Sequence, residues 1–462
     1  MKIDIERFGP IERFSYNLEK DMIVTYGNNN IGKSYSMQIV YLLLKTFIGY
    51  PYYRQFGKMY FMPRGVAVEL SENNNLEKIV QEFMDSSDTI KDITSVIVCE
   101  VYDALKNAFL DEFMNSCENT FGNLDKTLAG EPMIHIHYGA YKFFIDLKKR
   151  KMEGSIDIKP IFLKKTGSDF HKSRKCKDRL DIYVVSDIKQ PVHLIIEQIV
   201  KYFSLWFHMV RRDYENVYFL PASRSGIYSG MNAFGSIVAE LSKNRAYFTK
   251  KIEFPGISEP ISDYFISLSN INKTRLNENL EEYYTEIEDS ILKGKVTFDK
   301  TKNTLMYKPN NMDAYYEMTE VSSMVSEVSP IVAFLKYILA VQGKKAKRGK
   351  AVLFIEEPEA HLHPKNQIRL IEVFAKIVKV DVKLIISSHS NYVFNKLNNL
   401  VLGNTLDYHV YQPIILEEQE EGSISKFLDI DELGADDENF MDVSEALYYE
   451  REEIIQRMNM EE

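Results

Sequence analysis

Apolar positions in the first fifty residues fall into a strand, turn and helix order. Residues 2–7 and 14–18 read as strands around the turn Gly9-Pro10, and residues 22–26 form a short apolar stretch. Met37, Val40, Leu44 and Phe47 then recur at three- and four-residue spacing, which predicts a helix ended by Gly49 and Pro51. A related pattern begins at Val321: a helix, a strand at 351–355, a helix at 366–378, a strand at 383–386 and a helix at 391–397. Short, continuously apolar strands joined through helices are what a parallel sheet buried on both faces requires. The two ends of the chain are therefore expected to build one α/β core.

The stretch between them is mixed. Helical patterns at 76–84 and 96–113 are followed by strand-like stretches at 133–147 and 181–185. A helix-like run at 192–211 then leads to the apolar strand 217–220, which stops at Pro221. Residues 231–294 look helical and charged, and 295–308 looks like a hairpin. No repeat, low-complexity linker or sustained heptad interrupts this order. The expected division is an N-terminal core part at 1–50, a mixed α+β insertion at 51–215, and a helical segment with hairpin at 216–318. A C-terminal core part at 319–416 and an acidic tail at 417–462 complete it.

A chain of 462 residues with 45% hydrophobic and 12% aromatic positions can bury a large core, which excludes a disordered or collagen-like chain. Three scattered cysteines, Cys99, Cys117 and Cys176, lack metal spacing and suit a reducing cytoplasm. No apolar run approaches the roughly 18 residues of a membrane helix, and residues 1–7 lack a signal-peptide core. The expectation is a cytoplasmic protein without a membrane partner. The net charge of -10 is uneven: residues 417–462 hold 17 acidic and 3 basic side chains, leaving 50 acidic and 54 basic in 1–416. Basic clusters at 148–151, 172–179 and 344–350 either track nucleic-acid phosphates or are solvated loops. In the tail, Phe440, Val443, Leu447 and Ile454 form either a docking face for a partner protein or part of the chain's own core.

Three segments carry chemistry. Gly27-Asn28-Asn29-Asn30-Ile31-Gly32-Lys33-Ser34 matches GxxxxGK[ST], after a strand and at a helix start. There the glycines let backbone wrap a phosphate and the free N–H groups of the helix start point at it. Lys33 adds charge on the β and γ phosphates of ATP, and the Ser34 hydroxyl is offered to Mg²⁺. In the second segment, residues 351–359, an apolar strand runs into Glu356-Glu357-Pro358-Glu359. Two acids at a buried strand end are costly unless a metal-nucleotide complex resolves them, one carboxylate helping to hold Mg²⁺ and its neighbour taking a proton from the attacking water. The third, residues 384–390, is another apolar strand, ending in Ser387-Ser388-His389-Ser390. His389 alone is more often a satisfied structural histidine; here it stands at what should be the same ligand-binding sheet edge.

In this order and separation the three segments resemble an ABC-type ATPase of the RecF, SMC and OLD class, over the first 50 residues and about 320–400. The resemblance implies an ABC-type head with a mainly parallel core sheet, an antiparallel β part and a large mixed insertion. It assigns Mg²⁺ positioning to Glu356, water polarisation to Glu357 and γ-phosphate contact to His389, and it places residues 359–364 at a D-loop between subunits. The candidate signature motif, residues 321–327, departs from LSGGQ. Both glycines are missing, while Ser322 and Ser323 keep hydroxyl donors; the apolar stripe that follows supports a helix with Ser329 and Pro330 as cap and first position, and a plain amphipathic helix is the alternative to the signature. Residues 217–226 resemble a segment of OLD-class heads in which Arg224 reaches a phosphate or an inter-subunit carboxylate, or else is a surface-turn arginine. His135 with His137, and His361 with His363, lack the third ligand a zinc site needs.

The implied protein is an Mg²⁺-ATP-dependent ATPase, a homodimer with composite ATP sites. About 60 residues follow the last core motif, too few for the Toprim nuclease domain of OLD-class proteins. The resemblance is then to ATPase subunits of multi-gene anti-phage systems, whose effector, a nuclease, is a separate chain. The alternatives are a RecF-like DNA-repair ATPase and an ATP-gated scaffold with little turnover.

Overall fold

The computed structural model describes residues 1–49, 59–61, 67–69, 75–122, 124, 130–139, 141–155, 159–166, 179–185, 195–196, 199, 213–230, 256–271, 274–339, 349–435 and 448–454. One sheet of eleven strands organises them. In chain order these are β1 (Lys2–Phe8), β2 (Ile11–Asn17), β3 (Met22–Tyr26), β4 (Met133–Tyr138), β5 (Tyr141–Asp146) and β6 (Lys151–Ser155). They continue with β7 (Tyr214–Leu220), β8 (Lys350–Glu356), β9 (Val382–Ser388), β10 (Tyr411–Gln419) and β11 (Gly422–Phe427). Across the sheet the order is β7-β8-β9-β3-β10-β11-β2-β1-β4-β5-β6. The half from β7 to β10 is parallel, the half from β2 to β6 is antiparallel, and β11 joins them by a hairpin with β10 and parallel pairing with β2. The α/β class and the mainly parallel core with an antiparallel part are as the sequence predicts.

The central parallel strands β3, β8 and β9 are buried along nearly their whole length because both faces are covered. Ile23, Val352, Phe354 and Ile385 join one core with Met37, Val40 and Leu44 of α1 (Lys33–Gly49). Their neighbours Val24, Leu353, Ile355, Leu384 and Ile386 join the other core. That second core includes residues of α4 (Ser323–Ala333), α5 (Pro364–Ile377) and α6 (Asn391–Leu402). Two further helices, α2 (Asp103–Phe121) and α3 (Glu259–Ser269), come from the middle of the chain. Register then fixes the site: Leu220 lies beside Ile355, Glu356 beside Ser387 and Ser388 beside Tyr26. The loops after β7, β8, β9 and β3 consequently leave from one carboxyl edge, where open α/β sheets bind ligands.

Three expectations change. Residues 133–155, assigned to the insertion, extend the large sheet beyond β1. Residues 422–427, assigned to the acidic tail, form β11 in the sheet interior. Charge hides that strand, because Glu418, Glu420 and Glu421 crowd the exposed tip of the β10-β11 hairpin. The turn at Gly422 has φ +139 and passes so close to Pro10 and Glu12 that a Cβ would lie 3.1 Å from their backbone atoms. Finally, the helix expected to begin at Ser329-Pro330 begins at Ser323, with Pro330 inside it. Ser329 Oγ donates to the Val325 carbonyl at 2.7 Å, the bond of a serine within a helix rather than of a cap.

Residues 192–211 are largely outside the described residues, as are 231–255, most of the clusters at 172–179 and 344–350, and Phe440, Val443 and Leu447. Among the described residues no helix is long and apolar enough to cross a membrane.

Ile385, fully buried in β9, should lose about 2–5 kcal/mol on substitution by Ala, whereas Ile424→Ala in β11, where the side chain is 38% exposed, should cost much less. Urea midpoints of the two variants measure the difference, and equal losses would contradict the assignment of Ile385 to the sheet centre.

Candidate nucleotide site

The segment from Gly27 to Ser34 folds as a cradle because three of its residues take left-handed backbone: Gly27 at φ +144, Asn30 at φ +65 and Gly32 at φ +103. Only glycine fits two of these places. A Cβ on Gly27 would lie 2.6 Å from the Leu416 carbonyl oxygen, and one on Gly32 would lie 2.7 Å from Ile11 Cγ1. Ile31 is buried and anchors the loop, while Asn28, Asn29 and Asn30 are exposed. α1 starts at Lys33, so its first N–H groups have no partner within the helix. Lys33 Nζ donates to the Gly27 and Asn28 carbonyls at 2.9 and 2.6 Å and lies 3.4 Å from His389 Nδ1. Burial pushes its ammonium down to about 8, against partial support from Glu357 and Glu359.

Three carboxylates meet this cradle from the loop after β8. Glu356, at the strand's last position, is buried, and its Oε2 accepts from the Ala222 N–H at 3.1 Å. Desolvation raises its pKa, partly offset by the Ser34 hydroxyl and that N–H. Its Oε1 is buried with no hydrogen-bond partner among the described residues. An orphaned carboxylate oxygen next to the Ser34 hydroxyl is the donor set that a P-loop Mg²⁺ takes from protein. Glu357 has φ +43, an uncommon conformation for a side-chain-bearing residue. Its Oε1 lies 3.2 Å from His389 Nε2, and that bond holds its carboxyl below the usual range.

Glu359, not singled out above as a site residue, completes the arrangement. Its Oε1 accepts from Ser388 Oγ and the His389 N–H, both at 2.7 Å, and so fixes the loop that carries His389. Its Oε2 is also buried without a partner among the described residues, and desolvation raises its pKa. The sequence signal for it was a third acid two positions beyond the pair.

Lys33, Ser34, Glu356, Glu357 and His389 are thus brought together with the Gly27 and Asn28 carbonyls. Ser322 and Ser323 are exposed at the start of α4, and Ser322 caps that helix without a side-chain bond. Arg224 requires a correction. It was expected to reach a phosphate or a carboxylate of another subunit, or to sit in a surface turn. Instead it is fully buried, and at least four of its five donors point into protein carbonyls, leaving no exposed face for a nucleotide. Its partner Glu327, buried in α4, was also missed; the signal was one acid within an apolar helical stripe.

Among the described residues no group of three His, Cys, Asp or Glu side chains is placed to hold a metal alone. His361 and His363 are exposed, and His363 Nδ1 caps α5 by accepting from the Lys365 N–H. The basic cluster at 148–151 is largely compensated: Lys149 meets Glu131 and Asp146, Arg150 meets Glu118 and Lys151 meets Glu153.

Residues 1–394 match a family model described as "AAA ATPase domain". No curated protein matches the chain. Similar solved structures include a SmcHead bound to the C-winged helix domain of ScpA, 11% identical, covering 93% of this chain and 97% of that one with a TM-score of 0.38. The SMC head domain from Thermotoga maritima is 8% identical, covering 93% and 98% with a TM-score of 0.35. An Smc head domain with an extended coiled coil, bound to the C-terminal domain of ScpA derived from Pyrococcus furiosus, is 10% identical, covering 93% and 96% with a TM-score of 0.36.

The Lys33 ammonium sits near 8 in the folded chain against 10.5 ordinarily, so between those values the unfolded chain binds the proton more tightly. Stability attributable to Lys33 therefore rises as pH climbs through that window, and the penalty is fully present below it. Without nucleotide, Lys33→Met should shift the thermal midpoint more favourably at about pH 7 than at about pH 10. Equal shifts would contradict the buried, desolvated lysine.

Proposed function

The chain belongs to the AAA ATPase domain family, and from that premise we propose that it is an Mg²⁺-dependent ATPase working as a head-to-head homodimer. The observation that carries this reading is the convergence of Lys33, His389 and Glu357 at hydrogen-bonding distances on the carboxyl edge of the sheet. Each ATP is held between the Gly27–Ser34 cradle of one copy and the exposed Ser322 and Ser323 of the other. The N–H groups of the cradle bind the phosphates, and Lys33 exchanges its loop carbonyls for phosphate oxygens. Ser34 and Glu356 would hold Mg²⁺, which when bound neutralises charge on the β and γ phosphates.

Glu357 accepts the proton of the attacking water. Its lowered pKa keeps it ionised, and His389 orients it through the same bond that lowers it. The products are ADP and phosphate. At the partner's α4 the missing glycines leave hydroxyls, with the helix dipole behind them, as the contacts to the γ-phosphate. In our reading the cytoplasmic dimer passes its nucleotide state to a separate effector protein, a nuclease in anti-phage defence. What supports that output is the resemblance of the motif set to the ATPase subunits of such systems. Direct DNA contact is less supported, since acids compensate the described basic cluster.

Glu357→Gln should lower kcat by about 100- to 10,000-fold with little change in ATP affinity, and should accumulate an ATP-bound dimer detectable by light scattering. A variant that stays monomeric at saturating Mg-ATP would remove the dimer from the proposal. Lys33→Ala should weaken ATP binding by about 10- to 150-fold, measured by titration calorimetry. His389→Ala should move the acid limb of the kcat profile to higher pH, because Glu357 loses the bond that holds its pKa down. An unmoved limb would separate His389 from the base.

A further inference from the structure

Arg224 belongs to the turn after β7, and an arginine buried this completely needs a reason beyond charge balance. Its fork has two sides. One faces α4, where Nε donates to the Glu327 carbonyl at 3.0 Å and lies 3.4 Å from the Glu327 carboxylate. The other faces the site, where the terminal nitrogens donate to the Glu356 carbonyl at 2.7 Å and the Glu357 carbonyl at 3.2 Å. Glu327 answers by accepting from the Arg224 N–H, the Ser225 N–H and Ser225 Oγ at 3.0, 3.2 and 2.7 Å. The same turn holds Glu356 a second way, through the Ala222 N–H on its carboxylate.

A buried ion pair is weak evidence for stability, since apolar residues of similar volume often serve as well. What apolar residues cannot do is hold two successive carbonyls at a position where the backbone, Glu357 at φ +43, takes an uncommon conformation. The turn is braced in its own right. Tyr264 of α3 donates to the Arg224 carbonyl at 3.1 Å, and the adjacent Asp263 accepts from Tyr41 and Lys45 of α1 at 2.7 and 2.5 Å. One turn of α3 thereby ties the strut to the helix that carries Lys33.

We propose that Arg224 is a positioning residue that locks the backbone of Glu356 and Glu357 to α4 through Glu327, so that the helix start offered to a second copy and this copy's own base move as one body. The inference rests on the nucleotide-site reading above. It makes the two composite sites of a dimer sense each other: engagement of α4 by the partner's nucleotide fixes Glu357 in this copy. Nucleotide binding, carried mainly by the cradle, depends on the strut less than hydrolysis does.

The test compares wild type, Lys33→Ala, Arg224→Lys, Glu327→Gln and the Arg224→Lys/Glu327→Gln double variant as full chains. The measurements are ATP stoichiometry, kcat and KM. Lysine keeps the charge without the planar fork, and glutamine keeps the shape without the second acceptor. The expected result for Arg224→Lys is one ATP per chain, KM within about threefold, and kcat lower by about 10- to 100-fold, the scale of a small misplacement of a reacting group. A loss of folded protein would lower stoichiometry instead. The double variant should match the worse single rather than the product of both, as parts of one device do.

If Arg224→Lys does not fold, Glu327→Gln decides by the same split. A kcat within about twofold of wild type in the folded variants, or multiplied losses in the double, overturns the strut while Lys33→Ala still reports the site. ATP affinity left unchanged by Lys33→Ala overturns the site reading and the strut with it.

Discussion

The buried end of β8 sets the conditions for the rest of the molecule. A carboxylate there costs several kcal/mol unless its oxygens are matched, and Glu356 sits there with one oxygen matched by the Ala222 N–H and the other by nothing among the described residues. The surrounding structure keeps that strand end in place: two apolar cores clamp the parallel strands from both faces, and the register lines up the ends of β7, β8, β9 and β3. The unmatched oxygen is left at the ligand-binding edge of the sheet, beside the Ser34 hydroxyl.

The groups around Glu356 divide the work by their own environments. Lys33, desolvated and lowered, is held on carbonyls of its own loop at the place a phosphate would compete for. Glu357, half-buried and bonded to His389, stays ionised and so suits proton acceptance. Glu359 stays buried and holds the backbone of His389. Three acids within four positions thus have three surroundings, and their pKa values are pushed in different directions by burial and by one histidine.

Strand β11 shows how the two halves of the sheet become one body. It carries little hydrophobic signal, because the inner half of the sheet already supplies the core and the hairpin tip is left to the acids. Through it the parallel half that holds the chemistry is continuous with the antiparallel half that reaches to β6. An influence acting on the antiparallel half therefore has a direct backbone route to the Gly27 cradle, through β2, β11 and β10, whose Leu416 carbonyl abuts Gly27.

The chain by itself determines the cradle at 27–34, the apolar strands that end in Glu356 and His389, and the helices between them. Each of these is a local matter: backbone conformations that favour glycine, runs apolar enough for double burial, and periodicity at three and four residues. Local reading also singles out Glu356, Glu357, Lys33 and His389, which the fold then brings together. Tertiary structure alone decides that residues 133–155 and 422–427 join the sheet, that α4 starts at Ser323 rather than at Pro330, and that Arg224 turns inward. Strand pairing and the satisfaction of a buried guanidinium depend on groups more than a hundred residues away, Glu327 and Glu356 among them. No window along the chain contains both ends of such an interaction, and only folding brings them within 3 Å of each other.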